Sequence, residues 1–200
     1  MASGWQTMLK RLLEGNHMFR TTEFAGNRTH YTTIAGGQKP DALFICCADS
    51  RIEPEKITQT KAGELFVLRN VGNIIPPGDL GIAALLEFTI PQLKIPTIIL
   101  CGHSGCASIR ALDWKQTDEP VFRWLNNARE AKERVDAQIP EPRTDDERNA
   151  RYRQIELENV RLQIEHLHTY PLLKKAVDEK RVEVHGLYYD LGTGALTRVK

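Results

Sequence analysis

Ala42-Leu43-Phe44-Ile45-Cys46-Cys47-Ala48-Asp49-Ser50-Arg51 is an apolar run that ends abruptly in a thiol, a carboxylate and a guanidinium. A short apolar run bounded by polar residues reads as a buried β-strand, here over residues 42–46. The pattern recurs at Pro96-Thr97-Ile98-Ile99-Leu100-Cys101-Gly102-His103-Ser104-Gly105-Cys106. In that stretch residues 96–101 are the strand, Gly102 is expected to end it, and a helix is expected from about Ser104. Each strand therefore carries metal-type ligands at its carboxyl end. Two thiolates, an imidazole and a carboxylate together make a tetrahedral set of the kind zinc takes.

The spacing supports convergence. Residues i and i+2 of an extended chain point the same way, so Cys47 and Asp49 can reach one ion. Arg51 follows on that side, close enough to fork onto the Asp49 carboxylate. His103 and Cys106, three apart, are expected to share one face of a first helical turn. Sites in open α/β sheets gather beyond the carboxyl ends of the strands, where both segments lie. Alone, each segment is a weak signal: Asp49 also reads as a helix cap, and His103 as a polar turn residue. Their joint occurrence at the ends of two neighbouring strands carries the reading. Cys46 and Cys101 sit inside the apolar runs and read as small core residues.

Outward from these segments, residues 1–20 form an amphipathic pattern (Trp5, Met8, Leu9, Leu12, Leu13, Phe19), and residues 21–39 read mostly as loop. Pro54 suits the first turn of a helix to about Thr58. Residues 64–71 read as a strand. Asp79 is placed to cap a helix to about Leu93, apolar nearly all round and so expected to be well buried. Residues 119–137 and 144–169 carry helical spacing, separated by the loop Pro140-Glu141-Pro142. Pro171 opens another helix to about Lys180, residues 182–190 alternate like a strand, and Gly192-Thr193-Gly194 turns into a last short strand. Strands separated by helices predict an α/β fold. Its expected form is a central, mainly parallel β-sheet flanked by helices, with an N-terminal helical arm and a helical second half. The whole chain, 1–200, reads as a single domain in which 1–40 is the arm and its loop.

Composition narrows the partners. Lys+Arg is 27 against Asp+Glu 26, a net charge of +1, with acids and bases interleaved. Nothing in that balance favours nucleic acid or an anionic membrane. No apolar run is long enough to span a bilayer, and the first helix lacks the apolar block of a secretory signal, so the expected compartment is the cytoplasm. In a reducing compartment, four cysteines grouped with His and Asp point to metal binding more than to disulfides.

These residues resemble the β-class carbonic anhydrases, and the resemblance runs along nearly the whole chain. It rests on Leu12-Leu13-Glu14-Gly15-Asn16, Gly37-Gln38-Lys39-Pro40, Cys47-Ala48-Asp49-Ser50-Arg51 and Cys101-Gly102-His103-Ser104-Gly105-Cys106. It rests also on Gly63-Glu64-Leu65-Phe66-Val67-Leu68-Arg69-Asn70-Val71-Gly72-Asn73 and Val184-His185-Gly186-Leu187-Tyr188-Tyr189-Asp190. The resemblance implies reversible hydration of carbon dioxide to bicarbonate, with one zinc ion per chain on Cys47, His103 and Cys106. It implies water or hydroxide in the fourth position, held by an Asp49–Arg51 dyad, or Asp49 itself as fourth ligand in a closed form. It implies that Gln38 binds substrate across a homodimer or larger homo-oligomer, and that Phe66, Val71 and Phe88 line an apolar pocket. Two departures stand out: Ala107 replaces a glycine common after the last cysteine, and Phe44 replaces the Trp of members regulated by bicarbonate, although Arg69 and Tyr189 match other parts of that site. A hydrolase of carbonyl sulfide or carbon disulfide on the same scaffold is the alternative activity, and a zinc-stapled module without turnover is the alternative class. His17, His30, His166, His168 and His185 are shuttle candidates by residue type alone, and none is nominated.

Overall fold

The computed structural model describes residues 4–115 and 117–200, the first three of these by backbone alone. Trp5, placed above on the apolar face of the first helix, has no described side chain. The chain divides into two compact units, Met1–Gln38 and Lys39–Lys200.

The first unit holds α1 (Gly4–Thr21), α2 (Glu23–Gly26) and α3 (Arg28–Ala35). Residues 21–39 are therefore mostly helical, against the loop expected from their polarity. The cause is local. The Phe24 and Tyr31 rings stack at 5.0 Å, Phe19 meets Tyr31 edge-on at 5.4 Å, and the Tyr31 hydroxyl donates to Glu23 at 2.7 Å. The hydroxyls of Thr32 and Thr33 donate back to the carbonyls four residues earlier, so these polar residues sit inside a helix. Met8, Leu9, Leu12 and Leu13 of α1 are exposed.

The second unit is built on a five-stranded sheet in the order β2-β1-β3-β4-β5. The strands are β1 (Ala42–Cys47), β2 (Leu65–Asn70), β3 (Thr97–His103), β4 (Glu183–Tyr189) and β5 (Leu196–Val199). All pairings are parallel except β4 with β5. Every residue of β1 is buried, as a central parallel strand covered on both faces requires. Its alternate side chains sort into two cores: Leu43 and Ile45 with Ile98, Leu100 and Val160, and Phe44 and Cys46 with Cys101, Ile109 and Ile155. From β1 the chain crosses to β2 on one side, and β3 pairs on the other. The carboxyl ends of β1 and β3 thus flank the point where the winding reverses, which is where such sheets form sites.

The helices of this unit are α4 (Pro54–Thr58), α5 (Leu80–Glu87), α6 (Ala107–Arg110), α7 (Pro120–Leu125), α8 (Arg129–Asp136), α9 (Asp145–His168) and α10 (Pro171–Asp178). Asp79 caps α5 as expected, accepting the Ile82 N–H at 2.9 Å. α5 is not buried all round: Ile82 and Leu86 face the core, while Leu80 is 83% exposed and Phe88, just beyond, is 46% exposed. α9 opens with a capping box between Thr144 and Glu147 and lies directly on the sheet. A Cβ on Gly102 of β3 would sit 2.6 Å from Val160 Cγ2, and one on Gly186 of β4 would sit 2.9 Å from Val160 Cγ1. Glycine at both positions is what lets α9 approach. Among the described residues no helix is long and apolar enough to cross a membrane.

Candidate metal centre

β1 ends on Cys47 and β3 ends on His103. β3 continues one residue past Gly102, because Gly102 and His103 remain paired with Tyr188 and Tyr189 of β4. The chain then turns through Ser104 and Gly105, whose φ of +65° suits glycine, and Cys106 becomes the N-cap of α6. His103 and Cys106 therefore meet across a turn, with the imidazole on a strand end, and not along one face of a helix. One ligand atom each from Cys47, His103 and Cys106 all lie within 4.8 Å of one another, and all three residues are buried.

The donor set fits a soft or borderline dication. His103 is 1% exposed, and its Nδ1 lies 3.0 Å from the Ser104 carbonyl, which fixes Nδ1–H as the tautomer and leaves Nε2 as the free lone pair. Nε2 is buried with no hydrogen-bond partner, an orphan that a cation would satisfy. Cys47 is pulled down to about 4, first by the thiol hydrogen bond from Cys106, with the His103 ring and the Gly72 N–H adding to it against the cost of burial. Cys106 is correspondingly held well above the ordinary thiol value, because its proton is shared with the Cys47 sulfur and the site is buried. Burial opposes charging of His103, but the adjoining Cys47 thiolate and the Ser104 carbonyl outweigh it and raise the imidazole. A metal-free pair of thiols thus retains a proton that a dication would displace. Cys46 behaves differently: burial pushes it up to about 12, as for an inert core thiol.

Asp49 lies outside the triad. Arg51 holds it in a fork, Nε to Oδ1 at 2.9 Å and Nη2 to Oδ2 at 2.6 Å, and the Arg51 backbone N–H donates to Oδ1 at 3.0 Å. The guanidinium also donates to the Gly105 carbonyl at 3.1 Å, tying the two ligand loops together. Oδ2 stands 4.0 Å from His103 Nε2. The Arg51 hydrogen bonds hold this carboxyl well below the usual carboxylate range, so it stays ionised and accepts hydrogen bonds only. Arg69 donates to the carbonyls of Cys47 and Asp49, at 3.2 and 2.5 Å, and so props the β1 loop.

Phe66 and Phe88 lie with ring centroids 6.0 Å apart, and Val71, the residue after β2, is 46% exposed. Gln38 closes the first unit and is outside the unit that carries the triad. Sequence reasoning missed the supports beneath the site. Glu156 is 3% exposed; it accepts the Cys106 N–H at 2.9 Å and the Tyr188 hydroxyl at 2.6 Å. Asn159 and Gln163 follow it at helical spacing on the buried face of α9. The available signal was polar residues set within the apolar stripe of Ile155, Val160, Leu162 and Leu167.

The profile of the carbonic anhydrase family matches residues 42–196. The fold superposes on the β-carbonic anhydrase CcaA with a TM-score of 0.87 at 33% identity, covering 96% of this chain and 95% of that one. The chain belongs to the β-carbonic anhydrase family. Among its relatives, the carbonic anhydrase of Synechococcus elongatus is 36% identical over 201 residues, covering 96% of this chain and 71% of that protein. A tetrameric β-carbonic anhydrase of Sordaria macrospora superposes with a TM-score of 0.85 at 29% identity, covering 96% of this chain and 97% of that one. Carbon dioxide hydration is the general reaction of this zinc-dependent family, and the Cys-His-Cys cluster is a site suited to its metal.

Proposed function

We propose that this chain interconverts carbon dioxide and bicarbonate with one zinc ion, held by Cys47, His103 and Cys106, and with Asp49 and Arg51 as an orienting and gating pair. The observation that carries this reading is the buried triad at the switch point of the sheet with an ionised carboxylate drawn aside by its own arginine. A closed structural zinc site needs four firm protein ligands and no such arginine. Zinc, when bound, supplies the Lewis acidity that makes water a nucleophile near neutral pH. Asp49 Oδ2, ionised and aimed by Arg51, accepts the O–H of the attacking water and so directs a lone pair at carbon. Were Arg51 to release it, Asp49 would be free to serve as a fourth ligand and close the site. Phe66, Val71 and Phe88 offer the apolar wall that an uncharged, linear substrate prefers to water. Gln38 is assigned to bind substrate across a homodimer. Assembly is supported by the exposed apolar residues of α1 and of α5 and by the tetrameric relative. Four free thiols fit a reducing, cytoplasmic setting.

The test is zinc analysis of the purified protein together with stopped-flow hydration of carbon dioxide, with carbonyl sulfide and carbon disulfide run beside it. Stoichiometric zinc and preferred turnover of carbon dioxide are expected, with zinc lost in Cys47→Ser, His103→Ala and Cys106→Ser. Protein that never carries zinc, or a strong preference for carbonyl sulfide, would overturn the reading.

A further inference from the structure

The Cys47 sulfur has a peptide N–H directed at it: Gly72 N donates at 3.4 Å. The same peptide is gripped at its oxygen, where Val71 O accepts the Trp124 indole N–H at 2.8 Å. The next peptide is gripped as well, since Gly72 O accepts the Asn159 amide at 3.1 Å. Trp124 comes from α7 and Asn159 from α9, so Gly72 is held from two independent elements.

The amide directions in this clamp follow from backbone groups that have only one role. Ile75 N–H must donate, so Gln163 presents Oε1 to it at 2.7 Å. Gln163 Nε2 must then donate, and it does so to Asn127 O at 2.9 Å and to Asn159 Oδ1 at 3.0 Å. Asn159 is left with Nδ2 toward Gly72 O, the one arrangement in which every member is satisfied. Asn159 is 1% exposed and Gln163 is fully buried, so no water competes for these bonds.

Gly72 needs such a clamp. Its φ is +80°, and a Cβ there would meet Ser108 Cβ at 3.2 Å, so the position requires glycine. Glycine is also the residue whose backbone wanders most easily. Donation into Val71 O polarises the peptide and strengthens its N–H as a donor. An N–H on a thiolate withdraws charge from the sulfur, and partners of this outer kind tune a bound metal.

We propose that Trp124 and Asn159 are positioning residues: by gripping the peptides on either side of Gly72 they keep its N–H on Cys47 Sγ and limit the charge that this thiolate donates to a bound metal. The proposal rests on Cys47 being a zinc ligand. Its test is the thiolate-to-metal charge-transfer band of the cobalt-substituted full chain, with kcat and KM of the zinc protein as a second readout. Trp124→Phe keeps an aromatic six-membered ring but removes the indole N–H together with its five-membered ring; Asn159→Ser is too short to reach Gly72; Thr89→Val, which loses a buried hydroxyl bonded to Leu85 O at 2.8 Å, is the control for lost packing and stability alone. The band moves to lower energy in Trp124→Phe and Asn159→Ser, kcat falls on the order of tenfold with KM little changed, and Thr89→Val keeps the parent band. If Asn159→Ser does not fold, Trp124→Phe decides. A parent band that stays in place in Trp124→Phe overturns the clamp, whatever happens to kcat. A parent without any thiolate band, or one whose band keeps its full intensity and position in Cys47→Ser although Cys106 remains as the second thiolate, overturns the assignment of Cys47 instead.

Discussion

Gly102→Ala is the smallest change that should disturb the metal centre from beneath. The new methyl would stand 2.6 Å from Val160 Cγ2 and 3.5 Å from the Glu156 carbonyl. Carbon atoms rest about 3.5–4.0 Å apart, so the contact must open by about 1 Å. Val160 cannot turn away cheaply. A helical valine has one strongly preferred rotamer, and its other methyl already lies against Gly186. The strain must therefore lift α9 from β3, with Glu156 and its hold on Cys106. Overpacking of this kind costs about 1–3 kcal/mol, and the upper end is expected because both neighbours are fixed. For a chain of 200 residues, about 3 kcal/mol corresponds to a fall in Tm of roughly 6–12 °C. Val160→Ala alone should also destabilise, by leaving a cavity under the sheet. In Gly102→Ala/Val160→Ala the added methyl occupies the space the removed ones vacate, so the double variant should be more stable than the sum of the singles by about 1–2 kcal/mol. Urea unfolding of the four proteins, with zinc content beside it, measures this. Additive losses, or a Gly102→Ala protein as stable and as zinc-replete as the parent, would refute the picture of α9 seated on two glycines.

Arg51→Ala should raise the Asp49 carboxyl toward its ordinary range, because the hydrogen bonds that depress it are gone. That titration stays far below neutral pH, but an Asp49 freed from Arg51 would compete with the attacking water for the fourth position. The acid limb of the activity profile is therefore expected at higher pH, and activity at neutral pH falls about tenfold, the low end for charge-assisted bonds since Arg51 is more than half exposed; an unmoved limb in stopped-flow profiles would count against the gating role. Away from the site, Arg151 is buried and bonds Asp136 at 2.6 and 2.8 Å and Asp113 at 2.7 and 3.1 Å. Asp136 is lowered, chiefly by Arg151, and at Asp113 the bonds from Arg151 and Tyr152 outweigh a burial that would raise it. Depressed carboxylates contribute stability that is present above their unfolded pKa and lost as pH falls through the folded values. Arg151→Met should therefore cost about 2 kcal/mol near neutral pH, less than a fully buried pair because the two carboxylates are about a third exposed. It should also flatten the acid side of the stability curve, read by urea unfolding at several pH values.

Much of this molecule is written in local pattern. The apolar runs of β1 and β3 announce buried strands whatever surrounds them, and Pro54, Asp79, Thr144 and Pro171 mark helix starts by the fixed φ of proline or a side-chain oxygen for an orphan N–H. The candidate ligands are legible because a thiol, a carboxylate and an imidazole follow directly on two apolar runs. Local pattern was misleading where side-chain packing and strand pairing decide. Residues 21–39 look like loop until Phe19, Phe24 and Tyr31 pack together. Gly102 looks like a strand end until β4 pairs beyond it. α5 looks buried on all sides because apolarity does not say which surface will cover each face.

By itself, then, the sequence determined the strand–helix alternation and the kinds of atom offered at the carboxyl edge of the sheet, since these depend on periods of a few residues. Only the tertiary structure decided that Cys47, His103 and Cys106 share one small space, that Asp49 leans to Arg51, and that α9 underpins the site with Glu156, Asn159 and Gln163. The reason is that distances between residues far apart along the chain are set by strand order, register and the glycine-scale clearances between layers, none of which leaves a periodic mark in the sequence.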